Sequence, residues 1–324
     1  MKRVTRRDVA EKAGVTETIV SYVVNDNRYV DKEKRERVEE AIKELGYRPS
    51  PMARALKGKK TGHILFIADD LKSEHFGSII CEMEKLASGQ GLIVSLCQDS
   101  DDPSFLQSVQ DWLFDGIIIG SATISDAMIQ NILDIGVPTV LFEIRKFPVF
   151  SGTYGTINSG LYEGTRDCLR LLEGKGRTRI AFVSSVGQRL EDDDFRYQGY
   201  KDCVPEGKRI VIRDAEDEEM LFWMVQEMYR TDGFDALFCR TDVSACIAVK
   251  ALEAMGVHVP SNVAVVGCND SLVGRFLDPP LTSIHIRRDL LAKNALSMLE
   301  QLKKKASLPL KVRLQTELVV RESV

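Results

Sequence analysis

The stretch "VTRRDVAEKAGVTETIVSYVVND", residues Val4–Asp26, reads as two short amphipathic helices joined at Gly14. Thr5 with Asp8 forms a capping-box-like start, and Val9, Ala10 and Ala13 share one apolar face. Thr16 is placed to cap a second helix running through Asn25, which buries Ile19, Val20, Val23 and Val24 and exposes Glu17, Thr18, Ser21 and Tyr22. Asp31 opens a third helix, "DKEKRERVEEAIKELGY", with Val38, Ala41, Ile42 and Leu45 at helical spacing and Gly46 as its terminator. Three short helices around one apolar centre, the first two joined by a tight glycine turn, make the helix-turn-helix layout. That layout sets its second helix in a DNA major groove. Short polar side chains and Tyr22 then enter the groove, while Thr5, Ser21, Asn25 and Tyr47 offer hydrogen bonds to phosphate.

Charge supports a polyanion as the partner of this end. Residues 1–60 hold 16 Lys/Arg against 10 Asp/Glu, a net of +6, and the rest of the 324-residue chain holds 28 against 38, a net of −10. Length leaves room for two or three domains. No apolar run approaches the roughly 18 residues that span a bilayer, and the N-terminus has no apolar core of a secretory signal. The seven scattered cysteines form no C-x-x-C pair and read as small buried hydrophobes in a reducing cytosol. A cytoplasmic protein is expected.

After Gly46 comes "YRPSPMARALKGKKTG", where Ser50 with Pro51 can start a helix of about one and a half turns, too short to stand without a partner. Lys57, Lys59 and Lys60 mark a basic boundary behind it. Through "DVAEKAGV", "VSYVVN" and "ELGYRPSPMARAL" the first sixty residues resemble, without gaps, the headpiece of the LacI/GalR family of bacterial transcription regulators. The resemblance implies that the second helix reads an operator. It also implies a hinge helix that folds on DNA as a dimer, contacting it through Ala53 and wedging Leu56 into the minor groove. Thr16, Glu17 and Thr18 join the DNA-facing set. Tyr22 stands where the family commonly has Arg, and Ile19 where it often has Thr, which removes a guanidinium able to pair bidentately with guanine.

From residue 62 on, β-rich apolar runs alternate with helical patterns: "HILFIA", "LIVSLC", "GIIIGS", "PTVLFEI", then "RIAFVSS", "KRIVIR", "ALFCRT", "VAVVGCND" and "LTSIHI". Such alternation predicts parallel sheets covered on both faces. A break near "SGTYGTINSG" divides the series in two, and "RLQTELVVRES" reads as a last strand returning to a lobe already built. The expected fold is α/β, an all-α headpiece followed by two doubly wound parallel-sheet lobes with a ligand cleft at their strand ends. The expected domains are 1–48, a hinge at 49–61, and a two-lobed body at 62–324, with the lobe break near 155–160 and a return to the first lobe after about 287.

The body resembles the periplasmic-binding-protein-like effector domain of the same family, above all in "FRYQGY", "DALFCRTDVSACIAVKALEAMGVHVPSNVAVVGCND" and "PPLTSI". That resemblance implies effector contacts from Arg196 and Asp242, with Asn269, Ser121 and the cleft-mouth pair His75 and Phe76 as further candidates. "KSEHF" and "GTINSG" depart from the family's usual wording at the mouth and at Ile157. The acidic run Glu191–Asp194 reads as a solvated loop, since consecutive acids do not converge on one point. No G-x-G-x-x-G, P-loop, G-x-S-x-G or H-E-x-x-H occurs, and the four histidines have no second ligand at metal spacing, so neither catalysis, a cofactor nor a metal is expected. The expectation is a homodimeric repressor on a palindromic operator, controlled by a small molecule, a sugar or its derivative, with no membrane partner. A sugar-binding protein or a sugar or nucleotide enzyme using the same core is the alternative.

Overall fold

A computed structural model describes residues 4–25, 28–47, 61–88, 91–304 and 310–324. The expected hinge helix, with Ala53 and Leu56, lies outside these residues, as does the side chain of Asn25. The chain forms two compact units, Met1–Thr61 and Gly62–Val324.

The first unit holds α1 (Arg6–Ala13), α2 (Glu17–Asn25) and α3 (Lys32–Leu45). Their shared centre is Val9, Ala10, Ala13, Val20, Val23, Val38 and Ala41, the apolar faces that the spacing assigns. α1 and α3 both end on a left-handed glycine, Gly14 at φ 62° and Gly46 at φ 61°, a conformation that other residues adopt only with strain.

The second unit is built from two six-stranded sheets. The first contains β1 (His63–Ala68), β2 (Ile93–Gln98), β3 (Gly116–Gly120), β4 (Thr139–Glu143), β5 (Tyr154–Asn158) and β11 (Leu310–Arg313), in the order β11-β5-β4-β3-β1-β2, all parallel. The second contains β6 (Ile180–Val183), β7 (Ile210–Ile212), β8 (Ala236–Cys239), β9 (Ala264–Cys268), β10 (Thr282–His285) and the antiparallel β12 (Glu317–Val319), in the order β12-β10-β9-β8-β6-β7.

Both faces of each sheet are covered, which is why the strands read as unbroken apolar runs. In β1, Ile64, Phe66 and Ala68 face α4 (Glu74–Ala87) and α11 (Arg288–Lys303), whereas Leu65 and Ile67 face α5 (Pro103–Asp111) and α6 (Asp126–Asp134). In the second lobe, Phe182 and Phe238 pack on α7 (Leu161–Gly174) and α8 (Phe195–Cys203). Ala181, Val183, Leu237 and Cys239 pack on α9 (Glu218–Asp232) and α10 (Asp242–Glu253). Strand order reverses between β1 and β3 and between β6 and β8, so crevices open beyond the carboxyl ends of those strands.

Two expectations need correction. "SGTYGTINSG" holds a strand that the expected series omits, β5, after which the chain leaves the first lobe beyond Asn158. "RLQTELVVRES" is not one strand: Arg313 ends β11 in the first sheet, and Glu317 begins β12 in the second. An extended crossover keeps the alternating pattern, so periodicity alone cannot show that the chain changes sheets there. Gly160, at φ 82°, sits where two crossovers touch, and a Cβ on it would lie 2.8 Å from the Leu314 carbonyl oxygen. Of the cysteines, Cys168, Cys239 and Cys268 are buried while Cys81 is exposed, and none is bridged.

Candidate DNA interface and effector cleft

In the headpiece the Thr5 hydroxyl accepts from the Asp8 amide at 3.3 Å and Asp8 accepts from the Thr5 amide at 2.7 Å, the reciprocal cap that fixes α1. The Thr16 hydroxyl accepts from the Ile19 amide at the start of α2. Glu17 and Thr18 are exposed on that first turn, with Ser21 and Tyr22 half-exposed one turn on. Tyr47 is different from its expected phosphate role: its ring is buried in the headpiece core at 8% exposure. Arg28, which the sequence reading passed over, stands with its guanidinium carbon 5.3 Å from the Tyr22 ring centroid and donates to the Tyr22 hydroxyl at 3.3 Å. A guanidinium therefore does stand at the α2 surface, beside the tyrosine that replaced one.

In the body the cleft is charged. Arg196 grips Asp194 with two bonds, Nε to Oδ1 at 3.1 Å and Nη2 to Oδ2 at 2.8 Å, and its Nη1 donates to the Arg240 carbonyl. Arg240, just beyond β8, donates from Nε to the same Asp194 at 2.9 Å and from Nη1 to Ser185 and Gln188. Burial pushes the Asp194 carboxyl up, but Arg196 and Arg240 outweigh it and hold it well below the usual carboxylate range. One carboxylate serves two guanidiniums unequally. Burial and Asp194 act in opposite directions on each: Arg196, gripped bidentately, is raised, while Arg240 is lowered by burial and by Arg196. The acidic run thus divides. Glu191 and Asp192 are exposed, Asp193 pairs with Arg145 at 3.1 Å, and Asp194 is 2% exposed. Asp194 can be buried only because Arg240, 46 residues away in sequence, meets it together with the neighbouring Arg196.

From the first lobe, Asp69 follows β1, accepts from the Ala122 amide at 2.9 Å, and has its carboxyl pushed up by burial against the pull of Arg240. Several polar contacts join the lobes across the cleft, among them the backbone bonds Lys146 N–H to the Asp193 carbonyl and Phe195 N–H to the Ile144 carbonyl. Glu74 accepts from the Leu272 amide at 2.9 Å, Arg145 reaches Asp193, and Arg288 donates to both His75 Nδ1 and the Asn269 carbonyl. Burial first, then Arg288 and Arg196, hold His75 down to about 3, so it is neutral.

The remaining candidates are placed elsewhere. Phe76 is a core residue against Phe66. Ser121 is fully buried, donating to Asp99 and accepting from the Thr123 and Ile124 amides. Asp242 is 1% exposed and binds the Ser271 amide at 2.5 Å and the Ser283 hydroxyl at 2.6 Å, both within its own lobe. Both bonds tie Asp242 to its own lobe, and its expected effector contact is not among them. Burial pushes its carboxyl up to about 6 against both bonds. His75, Asn269 and Arg196 stay at the cleft. A separate cavity of about 450 Å³ lies on the crossover side, lined by Glu143, Thr156, Asn158, Tyr162 and Phe195 among others, and none of the three cleft residues lines it.

A helix-turn-helix unit joined to a two-lobed core with a polar cleft defines a DNA-binding regulator that carries a small-molecule-binding domain. Residues 5–50 match the pattern described as bacterial regulatory proteins, lacI family, and residues 169–324 match that of a periplasmic binding protein-like domain. The chain is 30% identical over 329 residues to the HTH-type transcriptional regulator RegA of Clostridium saccharobutylicum, covering 98% of both. It is 28% identical over 340 residues to the HTH-type transcriptional repressor PurR of Histophilus somni (strain 129Pt), covering 99% of this chain and 98% of that one. Among solved structures, the lac repressor dimer bound to operator and the anti-inducer ONPF matches with a TM-score of 0.83 at 25% identity over 99% of each chain. The transcriptional regulator CelR–cellobiose complex matches with a TM-score of 0.69 at 26% identity, over 99% of this chain and 100% of that one. The chain belongs to the lacI family of bacterial regulatory proteins, DNA-binding regulators of transcription.

Proposed function

We propose that this protein is a cytoplasmic repressor that binds a palindromic operator as a homodimer and adjusts its grip to a sugar or sugar derivative held between the two lobes. The observation that carries the reading is the set of polar contacts across the cleft, Glu74 to Leu272, Arg145 to Asp193, and Arg288 to Asn269. A ligand entering the cleft competes for these groups and so biases the angle between the lobes, which is how a site of this kind acts at a distance. Relatives support the remaining parts: the lac repressor is a dimer on its operator, and CelR holds cellobiose. Exposed Leu272, Val273 and Phe276 on the second lobe and Ile93 on the first provide apolar surface for a twofold partner. Among the described residues no helix is long and apolar enough to cross a membrane. DNA, a small molecule and a second copy are then its partners, and no catalytic role is assigned.

The test is selection of random duplexes by the purified protein. The expected product is a palindrome whose half-sites lie about one helical turn apart, bound with an affinity that falls steeply as salt rises. Recovery of unrelated sequences, or binding indifferent to salt, contradicts the reading.

A further inference from the structure

Arg288 has no acidic partner within ion-pair distance among the described residues; its hydrogen bonds go to a neutral imidazole nitrogen, His75 Nδ1, and to the Asn269 carbonyl. Acids beside these groups in the chain are engaged elsewhere. Glu74 binds the Leu272 amide, Asp270 holds Arg275, His285 and Arg321, and Asp289 pairs with Arg287. A half-buried guanidinium without a counter-charge is costly, and its position spanning both lobes is where a ligand would supply one.

The surroundings agree. Arg196 and Arg240 share the single carboxylate of Asp194, and Arg240 Nη2 makes no hydrogen bond among the described residues. His75 accepts from Arg288 through Nδ1, so its proton sits on Nε2 as a further donor. Arg288 and Arg196 both act on His75 as cations, with no carboxylate countering them. Asp69 and Asp99 lie at strand ends of the first lobe, bound to the Ala122 amide and to the Ser121 and Thr123 hydroxyls but to no arginine within ion-pair distance among the described residues, and Asp69 is an acceptor suited to hydroxyls. The cleft is therefore polarised, cationic toward the second lobe and the crossover, and acceptor-rich toward the first.

We propose that the effector is anionic, a polyol carrying a carboxylate or a phosphate, with Arg288 binding the anion and Asp69 accepting from the hydroxyls. This rests on the cleft being the effector site and deepens that reading. Arg288 is the residue that selects charged over neutral sugars, because a neutral ligand leaves its guanidinium uncompensated.

The experiment is thermal unfolding of the full chain in inorganic phosphate, D-glucuronate, acetate and D-glucose, each against chloride at constant ionic strength. A saturable rise in melting temperature with phosphate assigns a phosphorylated effector, and a rise with glucuronate or acetate assigns a sugar acid; glucose should produce none. Arg288→Gln should weaken the effective anion about tenfold or more, whereas Arg288→Lys, which keeps the charge, should lose much less. Binding of anions to the basic headpiece is unchanged by either variant and cancels in the comparison. No anion effect beyond chloride in the parent, an equal effect in Arg288→Gln, or a shift with glucose alone overturns the proposal. Failure of the broader reading would look different, as a lack of sequence-selective DNA binding.

Discussion

Asp242 offers the sharpest separation between a ligand-binding and a scaffolding acid. Its two oxygens hold the Ser271 amide and the Ser283 hydroxyl, so removing them in Asp242→Ala strands a buried N–H and a buried hydroxyl. At about 1–3 kcal/mol for each of the two groups left unsatisfied, the loss should be about 2–6 kcal/mol. Asp242→Asn keeps an acceptor for Ser271 and can donate to Ser283, so it should stay within about 1 kcal/mol of the parent near neutral pH. The pH dependence has a definite sign. Folding raises this carboxyl from 3.8 to about 6, so between those values the folded state binds more protons than the unfolded one. The stability that protonated Asp242 contributes is full below 3.8 and is lost as pH rises toward 6. At about 1.4 kcal/mol per pH unit the loss amounts to roughly 3 kcal/mol. Urea unfolding of parent and Asp242→Asn from pH 4 to 7.5 isolates this group, since every other titration cancels in the difference. The difference should move in favour of Asn by about that amount across the window and then level off. A flat difference, or an Asp242→Ala protein of parental stability with only its effector response lost, refutes the scaffolding role.

Other perturbations follow from the same contacts. Asp194→Ala leaves Arg196 and Arg240 buried without their carboxylate and should cost about 3–5 kcal/mol in denaturant unfolding; parental stability would mean that water or rearrangement replaces the pair. Gly160→Ala forces a left-handed alanine against the Leu314 carbonyl and should lower stability by about 2 kcal/mol or more, read from the urea midpoint, whereas Gly136→Ala, with open space around it, should cost less. Tyr22→Ala and Arg28→Ala should change the base preference at the same half-site position in a random-sequence selection, because ring and guanidinium form one unit. Unchanged preference in both variants excludes that unit from base reading.

Elements whose cause is local were legible in the sequence. The Thr5–Asp8 box, the Gly14 and Gly46 caps and the buried strands all follow from spacing within a few residues. β5 was hidden because Gly155 and the small residues around it weaken the apolar signal of a strand that draws its stability from β4 and β11. The cleft was less legible than the fold. Asp242, Ser121 and Phe76 look like ligand groups in one dimension, yet each is satisfied by partners inside its own lobe. Conversely, Asp194 belongs to an acidic run that looks solvated, and only the meeting of Arg196 with Arg240, 44 residues apart, gives it a buried role. Charge pairing over such separations leaves no periodic trace.

The central claim is that cleft and headpiece are two coupled sites, and reciprocity tests it most directly. Using the selected operator and a cleft ligand identified by thermal shift, operator affinity is measured by fluorescence anisotropy with and without ligand, and ligand affinity by calorimetry with and without operator. The account predicts that both change by one common factor, on the order of 5–150-fold. Operator affinity that is indifferent to a ligand saturating the cleft, or two factors that disagree, would contradict it.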